Sequence, residues 1–128
     1  MSTSQIIIYG VLALFILFYV RRWWTTRSIS RYSPQQANDR VKQGGTILLD
    51  VRTNGERSSN HIKGSLHIPL KELARRTDEL TRHKDKEIIC YCQSGNRSLV
   101  AAAQLKKLGF KVADMTGGIA DWNFSHLQ

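Results

Sequence analysis

The chain opens on its longest apolar stretch. Met1 to Val20 contains no charged side chain, and from Ile6 to Val20 every residue is apolar apart from Tyr9, Gly10 and Tyr19. Twenty helical residues rise about 30 Å, close to the hydrocarbon thickness of a bilayer, so the pattern predicts one membrane-spanning helix. Arg21 and Arg22 end it abruptly, and Trp23 and Trp24 supply the aromatic pair favoured at a membrane interface. A cleaved signal peptide would put basic residues before the apolar run and a small-residue site after it; here the basic residues follow, and no Ala-x-Ala is present. A buried core helix would carry a polar stripe, which Ile6 to Val20 lacks. The sequence thus divides into a transmembrane helix with its interfacial flank, residues 1–24, and a second domain over 25–128.

In that second part the pattern alternates. Trp23 to Ser33, mostly Thr, Ser and Arg, reads as a linker into a short strand near Ile29. Ser33 is placed as an N-cap with Pro34 at the first helical position, and Gly44-Gly45 closes that helix. Thr46-Ile47-Leu48-Leu49 is a short continuous apolar run, as expected of a parallel strand buried on both faces. Thr53 to Ser65 is polar and reads as a loop. Leu70, Leu73 and Leu80 at near-helical spacing predict a surface helix over Pro69 to Leu80. Lys84-Asp85-Lys86 turns the chain into a central strand, Glu87 to Tyr91. A helix follows to Leu108, stopped by Gly109, then a last strand, Lys111 to Met115. Thr116-Gly117-Gly118 makes a tight turn into a short helix in which Trp122 is a core residue. Strands alternating with helices imply an α/β domain: a parallel sheet with helices on both faces, preceded by the N-terminal transmembrane helix.

Between the central strand and its helix stands Cys92-Gln93-Ser94-Gly95-Asn96-Arg97-Ser98. A cysteine here ends a strand on a polar, Gly-containing turn that opens into a helix. Successive N–H groups of such a turn, with the unpaired N–H groups of the helix, favour negative charge in one concavity. A sulfur lying there is stabilised as thiolate, and the Arg97 guanidinium adds to this where it points inward. The alternative is a buried cysteine acting as a small hydrophobe, which the crowd of Gly, Asn, Arg and Ser residues argues against. Cys90, two residues earlier, reads as such a core cysteine, with a resolving thiol as the second possibility.

At this loop the chain resembles the rhodanese (thiosulfate sulfurtransferase) family. Three further blocks carry the resemblance in order: Leu48-Leu49-Asp50-Val51-Arg52; His61-Ile62-Lys63-Gly64-Ser65 with Ile68-Pro69; and Gly117-Gly118-Ile119-Ala120-Asp121-Trp122. Together they extend from about Ile29 to Trp122. The resemblance implies a single rhodanese-like domain in which Cys92 is the nucleophile and Gln93 to Ser98 bind the substrate. Asp50 and Arg52 stand at the carboxyl end of a parallel strand, where ligands of open sheets bind, yet an ion pair or loop tether is their simpler role. His61 is likewise read as a tether, because a thiolate activated by its loop needs no base in contact. Asn60 departs from the family's glycine before His-Ile, and Asn tolerates a positive φ next best if the backbone requires one.

The formal net charge of +9, from 19 Lys and Arg against 10 Asp and Glu, fits an anionic membrane surface or an anionic substrate. With no zinc-finger spacing and no aromatic RNA-binding motif, nucleic acid is not expected as a partner. Arg21, Arg22, Arg27 and Arg31 all precede the first acidic residue, Asp39. Basic flanks stay in the cytoplasm, so the catalytic domain is expected to face it and those arginines to meet anionic head groups. Two cysteines this close make no disulfide framework. His61, His67, His83 and His126 lack ligand spacing and Cys90-x-Cys92 lacks a second pair, so no metal and no cofactor are expected.

The chemistry expected is a double displacement. Cys92 thiolate takes the sulfane sulfur of thiosulfate or a similar small anionic donor as a persulfide, and cyanide, a thiol or an acceptor protein removes it. Two alternatives stay open. One is a membrane-tethered persulfide carrier or interaction module. The other is a cysteine phosphatase, although that class resembles Cys-x5-Arg and here only four residues separate Cys92 from Arg97.

Overall fold

The computed structural model describes residues 1–27 and 29–125; the Arg27 side chain and His126, both named above, lie outside the described residues. The first helix, α1 (Thr3–Arg27), is followed by β1 (Ser30–Tyr32), α2 (Pro34–Gln43), β2 (Thr46–Asp50), α3 (Asn54–Ser59) and β3 (Leu66–His67). A segment of 3-10 turns encloses the four-residue α4 (Leu73–Arg76), and β4 (Glu87–Tyr91), α5 (Asn96–Lys107), β5 (Lys111–Met115) and α6 (Gly118–Phe124) complete the chain. The five strands form one sheet in the order β1-β5-β4-β2-β3, parallel at every pairing. The expected α/β architecture, with Glu87 to Tyr91 as the central strand, is the one found.

Side-chain alternation along the central strands separates two apolar layers. Leu49, Ile88 and Cys90 face α5 through Ala101, Ala102 and Leu105, and Leu73 and Leu80 close the same layer. Leu48, Ile89, Tyr91, Ala113 and Met115 face the other way, onto Ala37 of α2 and Ile119 and Trp122 of α6. Helices therefore cover both faces, and Trp122 is a core residue as expected.

Three local readings of the sequence change, and one strand had no reading. The stretch after Trp24 is not a linker from its start, because α1 continues to Arg27 with no Gly or Pro to stop it. Thr53 to Ser65 is not all loop: Thr53 caps α3, its Oγ1 accepting the Glu56 N–H at 3.3 Å while Glu56 Oε1 accepts the Thr53 N–H at 3.3 Å. Pro69 to Leu80 is not one helix but two 3-10 turns about α4. Between Leu73 and Leu80 only Ala74 is apolar, too little to seat a continuous α-helical face. The two-residue β3 is an edge strand too short to leave a periodic signal.

Thr3–Trp24 is long and apolar enough to cross a membrane, and none of it is buried against the rest of the chain. A core helix of a soluble domain would be packed. Within the domain, α1 comes near α5.

α6 holds the loop after β4 from the opposite layer. The Ile119 N–H donates to the Cys92 carbonyl at 2.9 Å and the Ala120 N–H to the Gln93 carbonyl at 3.3 Å. Gly118, at φ +63°, makes this possible, because a Cβ there would stand 2.4 Å from the Cys92 carbonyl oxygen. Gly118→Ala is expected to destabilise the fold by on the order of 3 kcal/mol, from overpacking and left-handed strain together. Equilibrium urea unfolding measures it.

Candidate active site

β4 ends at Tyr91 in the middle of the sheet, so the next residue, Cys92, emerges at the carboxyl edge, flanked by β5 and β2. Gly95 has φ +107°, a conformation open to glycine and costly for side chains. This turn aims its N–H back at the Cys92 sulfur, 3.0 Å away. The Ser98 hydroxyl lies 3.4 Å from the same sulfur. Burial works against ionisation, but Ser98, through its hydroxyl and N–H, with the N–H groups of Gly95 and Ser94, outweighs it. The Cys92 thiol is held below its ordinary value.

Cys90 is the contrast. It is fully buried, and burial, with the Asp114 carboxylate and Cys92 adding to it, pushes its thiol well above the ordinary range. It is a core thiol, as expected.

Ser98 serves a second acceptor. Its hydroxyl donates to Asp114 Oδ1 in a very short hydrogen bond, and Asp114 Oδ2 takes Arg31 Nε and Nη2 at 3.0 Å each. Asp114 is wholly buried, and burial raises its carboxyl against the hydrogen bonds of Ser98 and Arg31. A serine has one hydroxyl proton. Ser98 accepts from the Cys92 thiol while it donates to Asp114, and once the thiol ionises, thiolate and Asp114 compete for that one proton. Neither Asp114 nor Arg31 was singled out as a site residue from the sequence. The available signal was an aspartate between Ala113 and Met115 in a buried strand, a charge that must be paired to be tolerated.

Arg97 does not turn inward on the sulfur. Its guanidinium forks onto Glu56 of α3, Nη1 to Oε1 at 2.7 Å and Nη2 to Oε2 at 2.8 Å. The Arg97 hydrogen bonds, opposed by burial and helped by Thr53, pull the Glu56 carboxyl down to about 2. Glu56 too was passed over as a site residue, although Thr53-x-x-Glu56 is a legible capping box. Of the remaining loop residues, Gln93, Ser94 and Asn96 are at the surface, and Gly95 and Ser98 are buried around the sulfur.

Asp50 and Arg52 pair with each other. Asp50 Oδ1 accepts Arg52 Nε at 3.1 Å and Oδ2 accepts Arg52 Nη2 at 3.0 Å, with both side chains buried. Arg52 also donates to the Asn60 carbonyl at 2.6 Å and to Gln93 Oε1 at 3.4 Å, tying α3 to the Cys92 loop. His61 is exposed, its Nδ1 3.3 Å from the Arg57 carbonyl, and belongs to the end of α3. Asn60 has φ −167°, extended backbone open to any residue, so its departure from glycine needs no left-handed explanation. A cavity of about 340 Å³ lies beside the loop, walled by Val51, Thr53, Pro69, Leu70 and Lys71, with Arg97 on its rim side. Among the described residues, no three His, Cys, Asp or Glu side chains converge as a metal site would require.

Comparison with known proteins places this geometry. A family model described as "Rhodanese-like domain" matches residues 33–125. The Bacillus subtilis protein YrkF, whose name provisionally makes it a sulfur carrier, is 45% identical over 76 residues, 59% of this chain and 40% of its own length. The chain therefore spans well under half of that relative. A protein of Allochromatium vinosum named a sulfurtransferase is 35% identical over 77 residues, 59% of this chain and 70% of its own. The crystal structure of a rhodanese-related protein from Thermoplasma volcanium superposes with a TM-score of 0.71 at 29% identity, over 77% of this chain and 95% of that one.

The rate of Cys92 alkylation by iodoacetamide, followed against pH, is expected to have its midpoint below that of free cysteine. Ser98→Ala should raise the midpoint by about one pH unit, one hydrogen bond's worth. Asp114→Asn should lower it by a similar amount, because the Ser98 proton is then free to face the sulfur.

Proposed function

The chain belongs to the rhodanese-like domain family, and we propose that it is a sulfurtransferase working through a persulfide on Cys92. The observation that carries this reading is the Cys92 sulfur under the Gly95 N–H and Ser98 hydroxyl at the head of α5, where negative charge on sulfur is favoured. The names of YrkF and of the Allochromatium protein support it.

The reaction runs in two displacements. Cys92 thiolate attacks the outer sulfur of thiosulfate or a similar donor. The donor's S–S bond breaks, sulfite leaves with the electron pair, and Cys92 carries a persulfide. The thiolate of an acceptor, or cyanide, then attacks the outer persulfide sulfur, and Cys92 leaves as thiolate, ready to react again. Loop N–H groups from Gln93 to Ser98 stabilise the sulfur anions in both steps.

A persulfide carrier, loaded by another protein, is favoured by one observation of its own. The oxyanion fork of Arg97 is already occupied by Glu56, so a sulfonate donor must displace a carboxylate to use it. The same occupation, with the four-residue spacing from Cys92, argues against a phosphatase. We further propose that α1 anchors the protein in a membrane, single-pass, with the catalytic domain on the cytoplasmic side. The absence of acidic residues before Asp39, against Arg21, Arg22, Arg27 and Arg31, supports that orientation.

Intact mass of the reduced protein after thiosulfate treatment tests the intermediate: a gain of one sulfur, about 32 Da, is expected on the wild type and none on Cys92→Ser. A wild type with a free thiol and no gain would reject thiosulfate as the donor. Glu56→Gln keeps the cap of α3 but frees Arg97 of its competing charge. Its KM for thiosulfate is expected to fall about tenfold, the equivalent of about 1.4 kcal/mol in binding, as read from steady-state sulfite release.

A further inference from the structure

Every strand pairing is parallel, and β2, β4 and β5 start level with one another, Thr46 beside Glu87 and Glu87 beside Lys111, at the end of the sheet opposite the Cys92 loop. That starting end is basic. α2 finishes there with Lys42, α5 with Lys107, the turn into β4 brings Lys84 and Lys86, and β5 begins at Lys111. All but the half-buried Lys86 are exposed. Facing them are the acidic Asp85, next in sequence to both Lys84 and Lys86, and Glu87, which is already paired with Arg40 at 3.1 Å.

α1 leads in from the side of this end, into β1, whose first residue, Ser30, stands level with Ala113, two residues into β5. The apolar span of α1 closes at Trp24 and β1 starts at Ser30. Six residues reach at most about 20 Å even fully extended, and three of these six continue the helix, which shortens the reach further. A bilayer holding α1 therefore lies close against the basic end, near the roughly 8 Å over which charges act at physiological salt.

We propose that the amino-terminal end of the sheet is a docking face for an anionic lipid leaflet, seated by Lys42, Lys84, Lys86, Lys107 and Lys111, and that it turns the Cys92 mouth away from the membrane. The proposal rests on the reading of α1 as a membrane span. Cys92 lies five residues along the strand from Glu87, about 17 Å from the docking face. The thiol cannot reach lipid from there. Its sulfur donor and acceptor are consequently water-soluble molecules or protein groups arriving from the aqueous side, not compounds dissolved in the bilayer.

The test uses the full chain in vesicles of phosphatidylcholine alone or mixed with phosphatidylserine. Lysines are acetylated with a soluble N-hydroxysuccinimide ester and read by peptide mass spectrometry. Labelling of Lys42, Lys84, Lys107 and Lys111 is expected to fall severalfold when phosphatidylserine is present and to recover in high salt, with Lys71, beside Arg97, unchanged. Equal labelling in the two vesicles overturns the proposal. So does protection by added duplex RNA with none by phosphatidylserine, which would assign the face to nucleic acid. Carbonate washing of the neutral vesicles checks the underlying reading separately: a protein that is stripped off has no span, and the proposal falls with it. Retention with unprotected lysines overturns the docking face alone.

Discussion

Much of this domain hangs on one buried carboxylate. Asp50 ends β2 with no exposure to solvent, and around it gather the Arg52 guanidinium and N–H, Arg57 and the Tyr91 hydroxyl. Charge in such a place is tolerable only when fully partnered, and removing one partner of a buried pair typically costs about 3–5 kcal/mol. The partners come from different parts of the chain, so satisfying the charge fixes their relative positions. Arg57 sits on α3 and reaches Ser65, before β3; Tyr91 is the last residue of β4 and its hydroxyl accepts the Ile62 N–H at 3.2 Å. Arg52 continues the network into Gln93. The Cys92 loop is thus braced from below by a buried, fully partnered charge.

Above that brace the site is built on competition between acceptors. Ser98 has one proton for Asp114 and Cys92, and Arg97 has one fork for Glu56 or an incoming oxyanion. In the resting geometry the protein's own carboxylates hold both. Ligand charge and sulfur charge must therefore displace internal partners. The site is primed by the Ser98 hydroxyl together with the N–H groups of Ser98, Gly95 and Ser94.

The sequence made the sheet legible because its strands are short apolar runs punctuated by glycines: Thr46 to Leu49, Glu87 to Tyr91 and Lys111 to Met115 each read directly. The Cys92 loop was legible for a similar reason, since a cluster of Gly, Ser, Asn and Arg after a strand has few uses other than gathering N–H groups. What escaped was pairing across the fold. Nothing local announces that Glu56 meets Arg97, 41 positions later, or that Asp114 meets both Ser98 and Arg31. These are contacts of topology, visible only once β5 lies beside β4 and α3 beside the loop. The broken segment around Leu73 escaped for the opposite reason: a leucine spacing near seven fits a helix, but the packing needs only the two buried leucines.

The placement of Cys90 has a consequence for how long a loaded sulfur survives. It points into the same apolar layer as Cys92, two residues away, yet burial keeps its proton on. In the proposed cycle, loss of the persulfide's outer sulfur as sulfide, with a disulfide left behind, requires a second thiolate to attack the inner sulfur, and Cys90 is held as the thiol and cannot readily supply it. The cup is deaf to its own neighbour. On the proposed reading, a sulfur stored on Cys92 has no internal drain, and its lifetime is set by the arrival of an outside nucleophile.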